Sequence, residues 1–99
     1  MLSAQQSGGF TGPGLQAVTI QDARNLRDDT PVLLRGHILR YLGDEKYLFS
    51  DETGTIIIEI DDRLWWNISV NENDLVEISG EIDRDFRRVE IEVNRIRKL

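Results

Sequence analysis

Val32-Leu33-Leu34-Arg35-Gly36-His37-Ile38-Leu39 is the stretch that decides the fold of this chain. Val32, Leu34, Gly36 and Ile38 share one parity, and Arg35 and His37 fall on the other. A period of two is that of a pleated strand with one face on a core and one toward water. Pro31 bars a helix from entering the segment, and the strand is expected to run to about Leu42. A glycine at an inward, mid-strand position marks a bend, such as a long strand needs when it pairs in both halves of a barrel.

Toward the C-terminus the same period recurs. Gly43-Asp44-Glu45 reads as a turn, Tyr47 and Phe49 set the inward parity of a second strand, and Asp51-Glu52-Thr53-Gly54 reads as a tight turn. Ile56, Ile58 and Ile60 form a third inward face, with Ile57 and Glu59 outward. Residues 61–74 break the alternation. There Asp61 and Asp62 are expected to cap a short helical turn through Leu64-Trp65-Trp66, with Trp65 plugging the barrel end and Trp66 exposed. Val76, Ile78, Gly80 and Ile82 make strand four, with Glu77, Ser79 and Glu81 outward. Val89, Ile91 and Val93 make strand five, with Glu90 and Glu92 outward and a bulge expected near Asn94.

Toward the N-terminus, Thr19 as N-cap and Asp22 three residues on predict a helix over 19–28, with Ile20, Ala23 and Leu26 on one face. Residues 1–18, centred on Gly8-Gly9-Phe10-Thr11-Gly12-Pro13-Gly14, read as a flexible tail. The chain is thus all-β, one domain over 19–99. Helix, three strands, helical link and two strands is the chain order of a five-stranded OB-fold Greek-key barrel. An SH3-like barrel, which usually lacks the link, is the runner-up.

The 99 residues suffice for one modest core. Twelve Lys and Arg against 18 Asp and Glu give a net charge of −6. That argues against general nucleic-acid affinity, since phosphate binding rests on basic side chains displacing counterions. With no cysteine there is no disulfide, thiolate metal site or thiol nucleophile. No apolar run approaches the ~20 residues of a membrane span. Met1-Leu2-Ser3-Ala4-Gln5-Gln6 has neither the basic nor the apolar region of a signal peptide, as a processed chain also would not.

Short stretches spread over residues 8–98 carry a resemblance. They are Gly8-Gly9-Phe10 with Gly12-Pro13, then Ala23 with Leu26-Arg27-Asp28-Asp29-Thr30, and Leu34-Arg35-Gly36. Tyr47 and Phe49 before Asp51, Gly54-Thr55-Ile56, Ile60-Asp61 and Trp65 continue it. Val76-Glu77-Ile78, Gly80-Glu81, Val89-Glu90-Ile91 and Ile96-Arg97-Lys98 complete it. On these the chain resembles the YgiW/YdeI-type bacterial OB-fold (BOF) family of small exported stress-tolerance proteins. The resemblance implies a periplasmic protein with its signal peptide removed, acting in tolerance of oxidative, metal, acid or antimicrobial-peptide stress. It also implies a cell-wall (peptidoglycan) glycan or an envelope protein as partner. Pro31, where relatives often carry an aromatic, and Trp66, where a polar residue is common, depart from the pattern near the barrel surface, where they bear on ligand preference and not on the fold.

The candidate site is the face between the strand 1–2 and strand 4–5 loops, which flank the ligand face of OB barrels. Asp44 and Glu45 mark one edge, and Asp83, Arg84 and Asp85 the other. Arg35, His37, Ile57 and Glu59 are outward residues between them, and Arg35, His37 and Glu59 are expected to form a polar patch. Trp66 is a candidate for stacking on a sugar or touching a partner. The outward positions of strands 1 to 3 (Leu33, Arg35, His37, Leu39, Leu48, Ile57 and Glu59) offer no aromatic for base stacking, so single-stranded nucleic acid is the lesser alternative. Binding of a cation or cationic peptide by the acidic loops is the other, although their spacing matches no metal motif. His37 has no Ser or Cys nucleophile beside it, so no catalytic constellation forms. The expectation is a monomeric, non-catalytic binding protein without cofactor or membrane insertion.

Overall fold

Strand β1 (Pro31–Gly43) changes partners at its midpoint. Pro31–Gly36 pair antiparallel with β4 (Val76–Arg84), and His37–Gly43 pair with β2 (Lys46–Asp51). The handover falls at Gly36, where the bend was expected. A Cβ there would stand 2.9 Å from Cζ of Phe49 and closer still to the carbonyl oxygen of Ser50. The missing side chain lets the strand fold over Phe49, which is fully buried. Strand β3 (Gly54–Ile60) runs antiparallel to β2 and parallel to β5 (Val89–Lys98), and β5 runs antiparallel to β4. The sheet closes as a barrel in the order β1-β2-β3-β5-β4, the OB arrangement. This computed structural model describes residues 14–99.

The core is the inward parity of every strand. Val32, Leu34, Phe49, Ile56, Ile58, Ile60, Val76, Ile78, Ile82, Ile91 and Val93 are all buried. Opposite Ser79 and Gly80, the β4–β5 register jumps from Arg95 to Val93. Asn94 is the extra residue of a bulge, and it returns Ile96 to the interior.

The two barrel ends are closed differently. At one, helix α1 (Ile20–Ala23) lays buried Ile20 and Ala23 on the core, and the Asp51 carboxylate accepts the Ile20 N–H at 2.9 Å. At the other, the 3-10 link Asp62–Trp65 brings half-buried Trp65 against Tyr47, with ring centroids 5.5 Å apart. The indole N–H donates to the Tyr47 hydroxyl at 3.0 Å, and exposed Tyr41 packs against Tyr47 at a tilt, ring centroids 5.0 Å apart. The plug is therefore a row of three aromatics rather than a buried Trp65 alone. Burial pushes the Tyr47 phenol above its ordinary range.

Several expectations need correction. The helix is one turn, not 19–28. Thr19 does cap it, accepting the Asp22 N–H at 3.1 Å, but Asn25 and Leu26 then donate three residues back, and Asp29 takes φ 67°. Three-residue bonds tighten and end a helix. Of the expected tail, residues 1–13 lie outside the described residues, while Val18 donates to the Leu33 carbonyl at 2.9 Å and packs on the core. Glu77 and Glu90 have outward parity but are not solvated. They are 9% and 5% exposed, each covered by basic neighbours.

Candidate functional site

Two buried carboxylates organise the barrel's outer surface. Strand register sets Arg35 and Arg97 on either side of Glu77. Each donates to it at 2.9 Å, and together they hold its carboxyl below the usual glutamate range. Glu90 accepts Lys46 at 2.8 Å from the base of the β1–β2 hairpin. Arg88, at the end of the β4–β5 hairpin, approaches it at 3.5 Å. Hydrogen bonding to Glu90 raises the Lys46 ammonium above its ordinary value. Glu90 thus joins the bases of the two hairpins across the outer surface.

Beside this junction lies a groove of about 440 Å³. Ile57 of β3 and Val89 of β5 contribute its apolar lining, and Arg24, just past α1, forms one wall. The β4–β5 hairpin supplies Arg84, Asp85, Phe86, Arg87 and Arg88. The hairpin is shaped by its own backbone: Asp85 accepts the N–H groups of Arg87 and Arg88 at 2.7 and 3.0 Å, which lowers the Asp85 pKa. It is anchored to the α1 end by Arg84. The Arg84 side chain donates to the carbonyls of Leu26 and Arg24, and its N–H donates to Asp28 at 2.7 Å. Arg24 in turn donates to the Thr55 carbonyl. Phe86 is 92% exposed, with the Arg87 guanidinium 5.4 Å from its ring centre. A ring left that bare gains little hydrophobic stability from folding, whereas aromatics with a free face are favoured at contact sites.

Of the residues singled out from sequence, Ile57, Arg84 and Asp85 line this groove. Glu59 follows two residues after Ile57 on β3, opposite Lys46, and Asp83 is exposed at the end of β4. The rest lie elsewhere. The Asp44-Glu45 hairpin takes φ 53° and 65°, and Glu45 turns to the 3-10 link, accepting the Asp62 N–H at 2.8 Å. Asp85 turns to its own hairpin, and among the described residues no three His, Asp or Glu side chains are grouped to hold a metal ion. Arg35 and His37 lie on β1, separated from β3 by β2 on one side and from β5 by β4 on the other. His37 shares a row with Ser50 and Thr55, four residues along β3 from Glu59, or ~13 Å. The expected patch of Arg35, His37 and Glu59 therefore does not form, and His37 Nδ1 instead pairs with the Asp74 carbonyl at 2.9 Å. Trp66 is 82% exposed at the end of the link and is absent from the groove lining.

Sequence reasoning missed Arg24, Phe86, Arg87, Arg88 and Val89 as groove residues, and Lys46 beside them. The signal was present in Asp85-Phe86-Arg87-Arg88, a turn holding an aromatic where turns usually carry small polar residues. It also missed Tyr41, an exposed aromatic on β1.

A family description, Bacterial OB fold (BOF) protein, matches residues 2–98. Protein YgiW of Escherichia coli is 47% identical over 109 residues, covering 97% of this chain and 84% of that protein. The calcium-regulated OB-fold protein CarO of Pseudomonas aeruginosa is 39% identical over 87 residues, covering 86% and 75%. Neither name is that of an enzyme. The solved structure of the hypothetical protein ygiW from E. coli superposes with a TM-score of 0.85 at 46% identity, covering 94% of this chain and all of that one. Among the described residues no helix is long and apolar enough to cross a membrane. The chain belongs to the bacterial OB-fold family.

Proposed function

We propose that the protein is a non-catalytic binding or adaptor module of the bacterial periplasm, serving stress tolerance, and that it holds a cell-wall glycan in the groove beside the β4–β5 hairpin. The observation that carries this reading is Phe86, 92% exposed at the rim of a recess with Ile57 and Val89 in its lining. A pyranose ring presents an apolar C–H face that suits an aromatic surface, and its hydroxyls suit the guanidinium forks around it. The groove's volume falls within the range of small-ligand sites. Its strand 4–5 edge is the one expected of an OB binding face.

Co-sedimentation with purified peptidoglycan sacculi tests the proposal. Phe86→Ala is expected to weaken retention at least about tenfold, the loss typical of a central aromatic contact. His37→Ala and Asp44→Asn, on other parts of the barrel, should bind as the parent does. Equal retention of Phe86→Ala and the parent would refute the groove as the site.

A further inference from the structure

We infer that the groove selects a sugar carrying an oxyanion, phosphate or carboxylate, over the neutral sugar; this deepens the glycan-binding reading and rests on it. The chain as a whole is acidic, at −6. Yet four arginines, Arg24, Arg84, Arg87 and Arg88, line the groove against a single acidic residue, Asp85. Its carboxylate is already engaged by two backbone N–H groups of its own turn. The side chains of Arg24 and Arg84 end on backbone carbonyls, neutral acceptors that fix the guanidinia without cancelling their charge. Among the described residues, Arg88 alone of the four has a carboxylate within ion-pair distance.

Arg88 is itself incompletely used. Its partner Glu90 has one oxygen held by Lys46 at 2.8 Å, while the other, 3.5 Å from Arg88, is buried without a hydrogen bond. The salt bridge is long for a charge-assisted hydrogen bond, and a guanidinium carries five donors, so Glu90 leaves Arg88 with donors to spare. Four arginines around one recess repel one another, and Asp85 in the lining with Glu90 beside Arg88 offset only part of that charge. A bound oxyanion relieves that repulsion. Arginine's planar fork can grip a carboxylate or phosphate through two parallel hydrogen bonds, with two anchored guanidinia presenting fixed charge. Phe86 would hold the sugar ring while Arg87 and Arg88 hold its anionic group. A groove of about 440 Å³ matches a compact ligand rather than an extended polyanion.

The test is an NMR titration of the isotope-labelled protein at low salt. The probes are N-acetylglucosamine, N-acetylglucosamine 1-phosphate, glucuronate and inorganic phosphate. Shifts confined to Ile57 and Arg84–Val89, with the phosphorylated or carboxylated sugar bound at least about tenfold more tightly than the neutral one, support the inference. The two anionic sugars tell which oxyanion is preferred, and phosphate alone shows whether the ring contributes. Arg87→Ala should lose most of the preference, Arg87→Lys should recover part of it, and Arg40→Ala, on β1, should change nothing. Groove shifts of equal strength for neutral and anionic sugars would overturn the inference and leave the glycan reading intact. No groove shifts with any probe would overturn both. A thymidine oligonucleotide titrated in parallel that binds more tightly than any sugar, with shifts spread over β1 to β3, would overturn the inference in favour of nucleic acid.

Discussion

Replacing Gly36 by alanine isolates the contact on which the barrel turns. No positive φ is involved, so alanine suits the backbone, and the entropy of the unfolded chain favours it by ~0.4–1 kcal/mol. Against this stands the new methyl, which would meet Cζ of Phe49 at 2.9 Å and the Ser50 carbonyl oxygen more closely. Phe49 has no free volume to enter, being fully buried among isoleucines. The Ser50 oxygen cannot retreat without disturbing the pairing of Ser50 with His37, the first pair after β1 changes partner. Overpacking costs ~1–3 kcal/mol, and a weakened ladder hydrogen bond adds ~1 kcal/mol. The net expectation for Gly36→Ala is a loss of about 2–3 kcal/mol. In a domain of this size that lowers the melting temperature by roughly 10–20 °C. Urea denaturation followed by tryptophan fluorescence measures it, with the slope m as the check that the two-state transition persists. Gly80→Ala, whose methyl would meet the β5 backbone at Glu92 and Val93, should behave similarly. Gly14→Ala, with nothing within 4 Å, should not. A Gly36→Ala variant within 0.5 kcal/mol of the parent would refute the reasoning.

Other perturbations probe the surface carboxylates and the aromatic plug. Glu77 is held below the glutamate reference of ~4.3, so its contribution is fully present above that pH and is lost as pH falls through the lower native value. Glu77→Gln should therefore flatten the stability–pH curve below about pH 4.3, read by thermal melts from pH 2 to 7. Lys46→Met leaves Glu90 buried with Arg88 as its sole cation and should cost about 2–3 kcal/mol, at or below the usual cost of a broken buried pair because Lys46 is partly exposed and Arg88 can move in. Tyr47→Phe removes the acceptor of the Trp65 indole N–H and should cost about 1 kcal/mol, with a change in tryptophan emission.

The fold was largely legible because its signals are local. The alternation of Val32, Leu34, Gly36 and Ile38 gives the first strand and its bend, and the break at 61–74 gives the link. Ile96 out of phase with Val93 gives the bulge at Asn94. Helix length was not legible, since three-residue bonds after Ala23 compete with a capping pattern that is equally good for a longer helix. The burial of Glu77 and Glu90 was hidden because it depends on which cations the register sets beside them, Arg35 and Arg97 for one, Lys46 and Arg88 for the other. The groove was hidden for the same reason. Arg24, Ile57 and Arg87 meet only after the β4–β5 hairpin is tied to the α1 end through Arg84. Read along the chain, Arg84, Arg87 and Arg88 only offset Asp83 and Asp85 in their loop, whereas the fold adds Arg24 from beyond α1 to the same recess.

A ligand held in the groove at the β4–β5 hairpin, rather than elsewhere on the barrel, leaves a local footprint. The most direct measurement is an amide chemical-shift titration of the labelled protein with a soluble disaccharide-peptide fragment of peptidoglycan. Saturable shifts are expected at Ile57 and Arg84–Val89, and Phe86→Ala should abolish them. Shifts centred instead on Asp44-Glu45 or on Arg35 and His37, or saturable binding that survives Phe86→Ala unchanged, would contradict it.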